Sequence, residues 1–301
     1  MGSPTEFFRR ISPCVARGLL STCLLGFACG SVAQAVDQAV DQGSDQPGQL
    51  PAISIIIDDL GNRRVDGLRA IELPGPVAYA VLPHTPYGSR LAGIAFQLDK
   101  EVLLHVPMAS SQGKALGPGG LTNAMAQSEI RAVLDAGLAS IPHVSGLNNH
   151  MGSALTRSPR AMEWVMDWVR RNGGLYFVDS LTTSHSVALH SAREAGLSAI
   201  GRDVFLDATA DTQLIHKQFL RLIDIARANG TGLGIGHPYP ETLSVLRDVL
   251  LKPSYYGVEL VSVQELIARR QRLAGTRPED AMPADSGRSR YATNTHPGKV
   301  R

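Results

Sequence analysis

Ile53-Ser54-Ile55-Ile56-Ile57-Asp58-Asp59-Leu60-Gly61 places four isoleucines ahead of two adjacent carboxylates and a glycine. A short, nearly continuous, β-branched apolar run is a strand buried on both faces, as in a parallel sheet. Two aspartates at the end of such a strand are costly to bury unless a cation, protons or hydrogen bonds offset them. A lone aspartate there would be explained by capping the next helix. A pair directly after a buried strand points to a site, because α/β folds gather reactive groups at the C-terminal ends of parallel strands.

The same alternation runs outward from this stretch. Further strand signals fall at 77–82, 102–106, 145–149, 175–179, 199–202, 232–236 and 258–262. Helix-like stretches separate them. In 158–171, Trp164, Val165, Trp168 and Val169 share one face, and in 214–228 Leu214, Phe219, Leu222, Ile223 and Ala226 do so. Ser158-Pro159 reads as a helix start, and Asn172-Gly173-Gly174 and Asn229-Gly230 as helix stops. Strand and helix alternating about seven times without hairpin signals predict one α/β domain over 52–268, closed or nearly closed as a (β/α) barrel. No GxGxxG follows the first strand, which argues against a dinucleotide site. The glycine-rich stretch 109–126 is a long loop after the third strand, of the kind that is functional or mobile.

The segments flanking this domain read differently. Arg9, Arg10 and Arg17 precede an apolar run from Gly18 to Ala28, followed by the small-x-small site Ala33-Gln34-Ala35. This predicts a signal peptide over 1–35, cleaved after Ala35, and a protein exported to the periplasm. The apolar run is short for a stable anchor, so no membrane span is expected after cleavage. All 3 cysteines, Cys14, Cys23 and Cys29, fall in this segment, so the mature chain would hold no disulfide and no thiolate site. Residues 36–51 form a polar near-repeat, read as a flexible linker. Residues 269–301, rich in Arg, Pro, Ser, Gly and Thr, read as a disordered tail. A net charge of only +2 gives no case for nucleic acid.

If the strand ends converge, they bring together Asp58-Asp59, Pro83-His84, His105-Val106-Pro107-Met108, Asn148-Asn149-His150-Met151-Gly152-Ser153, Asp179-Ser180, Arg202-Asp203 and Gly236-His237-Pro238. Each supplies a group able to bind a metal or carry a proton. Carboxylates and neutral imidazoles suit Zn²⁺ and other first-row divalent ions. One Asp and two His leave positions open for water and substrate. A second carboxylate can then act as base and a histidine as acid. No G-x-S-x-G elbow or H-E-x-x-H helix is present, which argues against serine hydrolases and zincins.

Ile55-Ile56-Ile57-Asp58-Asp59-Leu60-Gly61, Leu104-His105-Val106-Pro107-Met108, Asn148 to Ser153, Asp179-Ser180 and Gly236-His237-Pro238 together resemble the divergent polysaccharide deacetylases, in the family's motif order. The resemblance implies an irregular (β/α) barrel of seven or eight strands, a periplasmic location and metal-dependent deacylation of an envelope polysaccharide or peptidoglycan. It assigns Asp58 as base, Asp59 as metal ligand and His237 as the catalytic histidine. The family's paired histidines are reduced to His150, with Gly146 and Ala154 at the four-residue spacings. His105 from a neighbouring strand is placed to complete the ligand set. The base-orienting arginine motif has no counterpart, and Asp179 stands in its region. His84, Asn149, Asp179 and Ser180 are expected to contact substrate or support the site. Hydrolysis of an acyl group, a catalytically inactive glycan- or partner-binding protein, and hydrolysis of a glycosidic or peptide bond are the three functions this pattern allows.

Overall fold

The computed structural model describes residues 49–276. The signal peptide, most of the linker and the end of the tail lie outside the described residues. Nine parallel strands form one sheet: β1 (Ala52–Leu60), β2 (Ala78–Val81), β3 (Val102–Met108), β4 (Val144–Met151), β5 (Tyr176–Asp179), β6 (Ala199–Gly201), β7 (Val204–Phe205), β8 (Thr231–Gly236) and β9 (Glu259–Leu260). Their order is β6-β5-β4-β3-β2-β1-β8-β7, with β9 pairing β1. The two ends of this path, β6 and β7, are consecutive in the chain and joined only by Arg202 and Asp203. The sheet therefore curls round, and the two-residue link spans the seam between its edges. This is the irregular (β/α) barrel expected from the strand count.

Alternation along each strand divides the apolar residues into two clusters. Ile53, Ile55 and Ile57 face outward, toward helices α1 (Arg64–Ile71), α2 (Gly88–Gln97), α3 (Gln127–Ser140), α4 (Pro159–Arg171), α5 (Ala188–Glu194), α6 (Thr212–Asn229) and α7 (Pro240–Leu250). Ile56, Ala80, Leu103, Val178 and Leu233 face inward. Among them sit Val263, Leu266 and Ile267 of α8 (Val263–Thr276), which plugs the end of the barrel where the strands begin. Glu101 fixes that plug by accepting from the Val263 and Gln264 amides at 2.6 and 3.1 Å.

The helix starts follow local chemistry. Ser158 Oγ accepts from the Ala161 amide with Pro159 in the first turn, and Asp211 accepts from the Gln213 and Leu214 amides. The tail expected from residue 269 instead begins inside α8. Arg269 bridges Glu259 and Glu265, and Arg270 bridges Asp203, so residues that read as disordered are tied to the barrel. Strand β7 was not expected either, because two residues are too few to show a period.

Candidate active site

Strict alternation would send Asp58 inward and Asp59 outward. The register prevents this. Ile57 pairs with Tyr79 and Leu60 with Val81, so three steps along β1 match two along β2. The extra residue makes a bulge. Asp59 takes φ +62°, a left-handed conformation that Asp tolerates better than most residues. Gly61 completes the turn at φ +125°, where any Cβ would strike the Thr85 hydroxyl. Both carboxylates thereby reach one spot at the mouth of the barrel.

Strands β3 and β4 bring the histidines. His105 pairs with Asn148 and Pro107 with His150, so His105, Asn148 and His150 share the inward face. Asp59 Oδ1 lies 3.1 Å from His105 Nε2 and 2.8 Å from His150 Nδ1. One ligand atom from each of these three residues lies within 4.8 Å of the others. Asp59 Oδ1 is buried, yet it makes no well-formed hydrogen bond. A buried carboxylate oxygen left this way beside two imidazole nitrogens fits a cation between them.

Asn148 sets the protonation pattern. Its Nδ2 donates to Asp58 Oδ1 at 2.7 Å, so its Oδ1 is the acceptor facing His105 Nδ1 at 2.7 Å. His105 Nδ1 must then carry hydrogen, and its Nε2 is free to present a lone pair to a cation. Without a cation the same nitrogen takes a proton. Burial lowers the His105 pKa, but the negative charges of Asp58 and Asp59 beside it outweigh burial and raise it to about 9. Burial also opposes ionisation of Asp59, and here His105 and His150 win, holding it well below the usual carboxylate range. For Asp58 burial wins and raises its pKa.

A pH dependence follows. Cation binding needs neutral His105, whereas the free protein holds it protonated from its ordinary 6.5 up to about 9. Between those values, binding should release about one proton per cation, and apparent affinity should rise with pH. Without cation the sign reverses for stability: the raised pKa stabilises fully below about 6.5, and that contribution is lost as pH rises through about 9. Calorimetric titration in buffers of different ionisation enthalpy at pH 7.5 measures the proton count. A count of zero would show that His105 is not the displaced group.

Across the site, His237 Nε2 lies 3.8 Å from Asp59 Oδ2. Its Nδ1 lies 2.9 Å from Asp207 Oδ1, and Asp207 Oδ2 accepts from the His237 amide and the Thr242 hydroxyl. Burial lowers the His237 pKa, but Asp207, Asp58 and Asp59 raise it overall. A Cβ on Gly236 would stand 3.1 Å from Asp207 Oδ2, so glycine is what lets the carboxylate close on the histidine. Sequence reasoning missed Asp207. Its signal was the run Val204-Phe205-Leu206-Asp207, a short apolar stretch entering a carboxylate, as in β1.

The remaining expected residues divide. Asn149 accepts from the Ser180 amide and donates to the Met151 carbonyl, tying β4 to β5. Asn149 also lines the cavity, and its neighbour Asn148 is the amide bonded to Asp58 and His105. Ser180 Oγ is 3.5 Å from Asn148 Nδ2, at the site's edge. Asp179 faces the helix side, where it accepts from the Leu181 amide, the Ser186 hydroxyl and the Leu189 amide. It builds the loop before α5 and does not reach the cluster, because it has the parity of the outward-facing Phe177. His84 is exposed at φ +57° against the 109–126 loop, and its amide bonds Ser140. His84 therefore stands away from the cluster, and Asp179 supports the site only through the loop that carries Leu181 to the cavity wall. Arg202 does line the cavity, donating to the Ser180 and Leu181 carbonyls.

The cavity measures about 450 Å³ and is lined by Asp58, His105, His150, Arg202, Phe205 and His237, among others. A larger hollow of about 650 Å³ lies among α3, α4 and α5 and is lined by no histidine.

Fold and site thus define a parallel-strand (β/α) barrel with an Asp–His–His cluster able to hold a cation at the strand ends. Residues 55–267 match the divergent polysaccharide deacetylase family, and the chain belongs to that family. It is 35% identical to the uncharacterized protein YibQ of Escherichia coli over 233 residues, 77% of this chain and 72% of that one. An uncharacterized protein of Haemophilus influenzae is 31% identical over 195 residues, 65% of this chain and 69% of its own. The crystal structure of an uncharacterized protein of Agrobacterium tumefaciens superposes with a TM-score of 0.69 at 24% identity, covering 73% of this chain and 90% of that chain, which shows a shared fold.

Proposed function

We propose that this protein is a metal-dependent hydrolase that removes acyl groups from an envelope polysaccharide or peptidoglycan after export to the periplasm. The observation that carries the reading is the pairing of Asp59, His105 and His150 with a separate buried carboxylate, Asp58, and a carboxylate-bound histidine, His237. A pure binding site has little use for so many titratable groups gathered at one point.

Asp59, His105 and His150 would hold the cation, and the donor set of one carboxylate and two imidazoles suits Zn²⁺. When bound, it supplies a Lewis acid for an acyl carbonyl and for water. Asp58 receives the proton of the attacking water. Asn148 holds one of its oxygens, and burial raises its pKa above that of an ordinary carboxylate. His237, oriented by Asp207 and favouring its charged form, donates a proton to the departing amine or alcohol. Arg202 braces the loop that forms one wall.

The export proposal rests on the N-terminal sequence. No helix among the described residues is long and apolar enough to cross a membrane. The test is acetate release. Full-length protein loaded with Zn²⁺ should release acetate from acetylated chitooligosaccharide or peptidoglycan, and chelation should stop it. Failure to release acetate from either substrate by protein with one bound Zn²⁺ would defeat the deacylase reading.

A further inference from the structure

His237 stands between two cavities. The cavity of about 450 Å³ holds Asp58, His105 and His150 on its wall. A second, of about 330 Å³, is lined by Asp59, Asn62, Arg63, His237 and Tyr239. Each is within the size of small-ligand sites, about 300–1,000 Å³. His237 lines both, and the two adjacent aspartates face one each. His237 is thus the wall that the two cavities share.

Tyr239 dominates the second cavity. Its ring stacks on His237, with centroids 5.4 Å apart and planes at 30°. It remains 43% exposed. Pro238 and Pro240 bracket it, and Pro240 opens α7, so the backbone that carries the ring is stiff. A large ring held rigidly, stacked on one side and open on another, offers a flat apolar surface with a polar tip at low entropic cost. Asn62 and the Arg63–Asp66 pair, at 2.8 Å, supply polar groups around it.

We infer that Tyr239 is the platform of a second sugar position, so that the site binds a glycan unit together with its neighbour in the chain. This rests on the glycan-directed reading above and adds which part of the polymer the site takes. The pyranose C–H face would lie on the exposed ring face, and the sugar hydroxyls would meet Asn62 and Arg63.

Binding of N-acetylglucosamine oligomers of one to five units to the full-length, Zn²⁺-loaded protein tests this by calorimetry, independently of turnover. Affinity should rise about tenfold or more from one unit to three. Tyr239→Ala should remove about five- to tenfold of that gain, and Tyr239→Phe, which keeps the ring, should restore it. A parent protein that binds no oligomer, or shows no gain with length, overturns the inference. So does a Tyr239→Ala protein that keeps the full gain with an unchanged melting temperature. Length-dependent binding that needs the Tyr239 ring, in a protein that releases no acetate, refutes the hydrolase reading while supporting this one.

Discussion

Asp59→Asn is expected to weaken Zn²⁺ binding by more than ~100-fold while leaving the protein folded. Loss of a partner that merely orients a ligand costs ~10–100-fold in affinity, so loss of a ligand charge should exceed that. Asparagine is the right replacement because residue 59 sits at φ +62°, which Asn tolerates and alanine does not. The backbone bulge should therefore persist, and the change is confined to the oxygen that now lies 2.8 and 3.1 Å from two imidazole nitrogens. His150→Ala is the companion variant, since its ring is partly exposed and touches the buried His105 only edge-on. Metal content after dialysis, with circular dichroism for the fold, reads both. One equivalent of tightly held Zn²⁺ in both variants would dismantle the cluster as drawn.

Asp58→Asn should behave differently. Acetate release should fall ~10²–10⁴-fold, the usual worth of a positioned base, through kcat more than KM. Zn²⁺ affinity should change by less than tenfold, because Asp58 Oδ2 stands 3.7 Å from His105 Nε2 and is not in the ligand set. The asparagine can still accept from Asn148, and it removes a carboxylate whose ionisation burial disfavours, so stability should be kept. The parent's rate should decline in acid with a midpoint above the usual carboxylate range, and that limb should vanish in the variant. Unchanged kcat, or a loss of metal equal to that of Asp59→Asn, would mean the two aspartates do not have separate tasks.

Much of this was legible in the chain. Long apolar strands announced themselves, as did helices with capped starts. The reactive groups followed from position, since a polar residue ending a buried strand has few other uses. What was hidden was parity. Asp59 is turned inward by a bulge that no residue pattern betrays, Asn148 and Asn149 look equivalent until the β3–β4 register assigns their faces, and Asp179 ends its strand on the wrong side. Strand β7 carries two residues, too few for any period, and Asp207 went unseen with it. The residues at 269–276 read as tail because their anchors are arginines, and the partner of Arg270, Asp203, lies far away in sequence.

The bulge at the end of β1 has one more consequence. Before it, the isoleucines keep one phase with their neighbours β2 and β8; after it, the strand is out of step by a residue on the β2 side. Packing and chemistry are thus keyed to different phases of the same strand. Drift among residues 53–57 can loosen or tighten the core without re-aiming the carboxylates. A one-residue insertion or deletion between Ile57 and Leu60 re-aims them and, of the β1 core residues, shifts only Leu60. The joint is a place where lineages sharing this barrel can gain, lose or exchange reactivity while the scaffold is inherited intact.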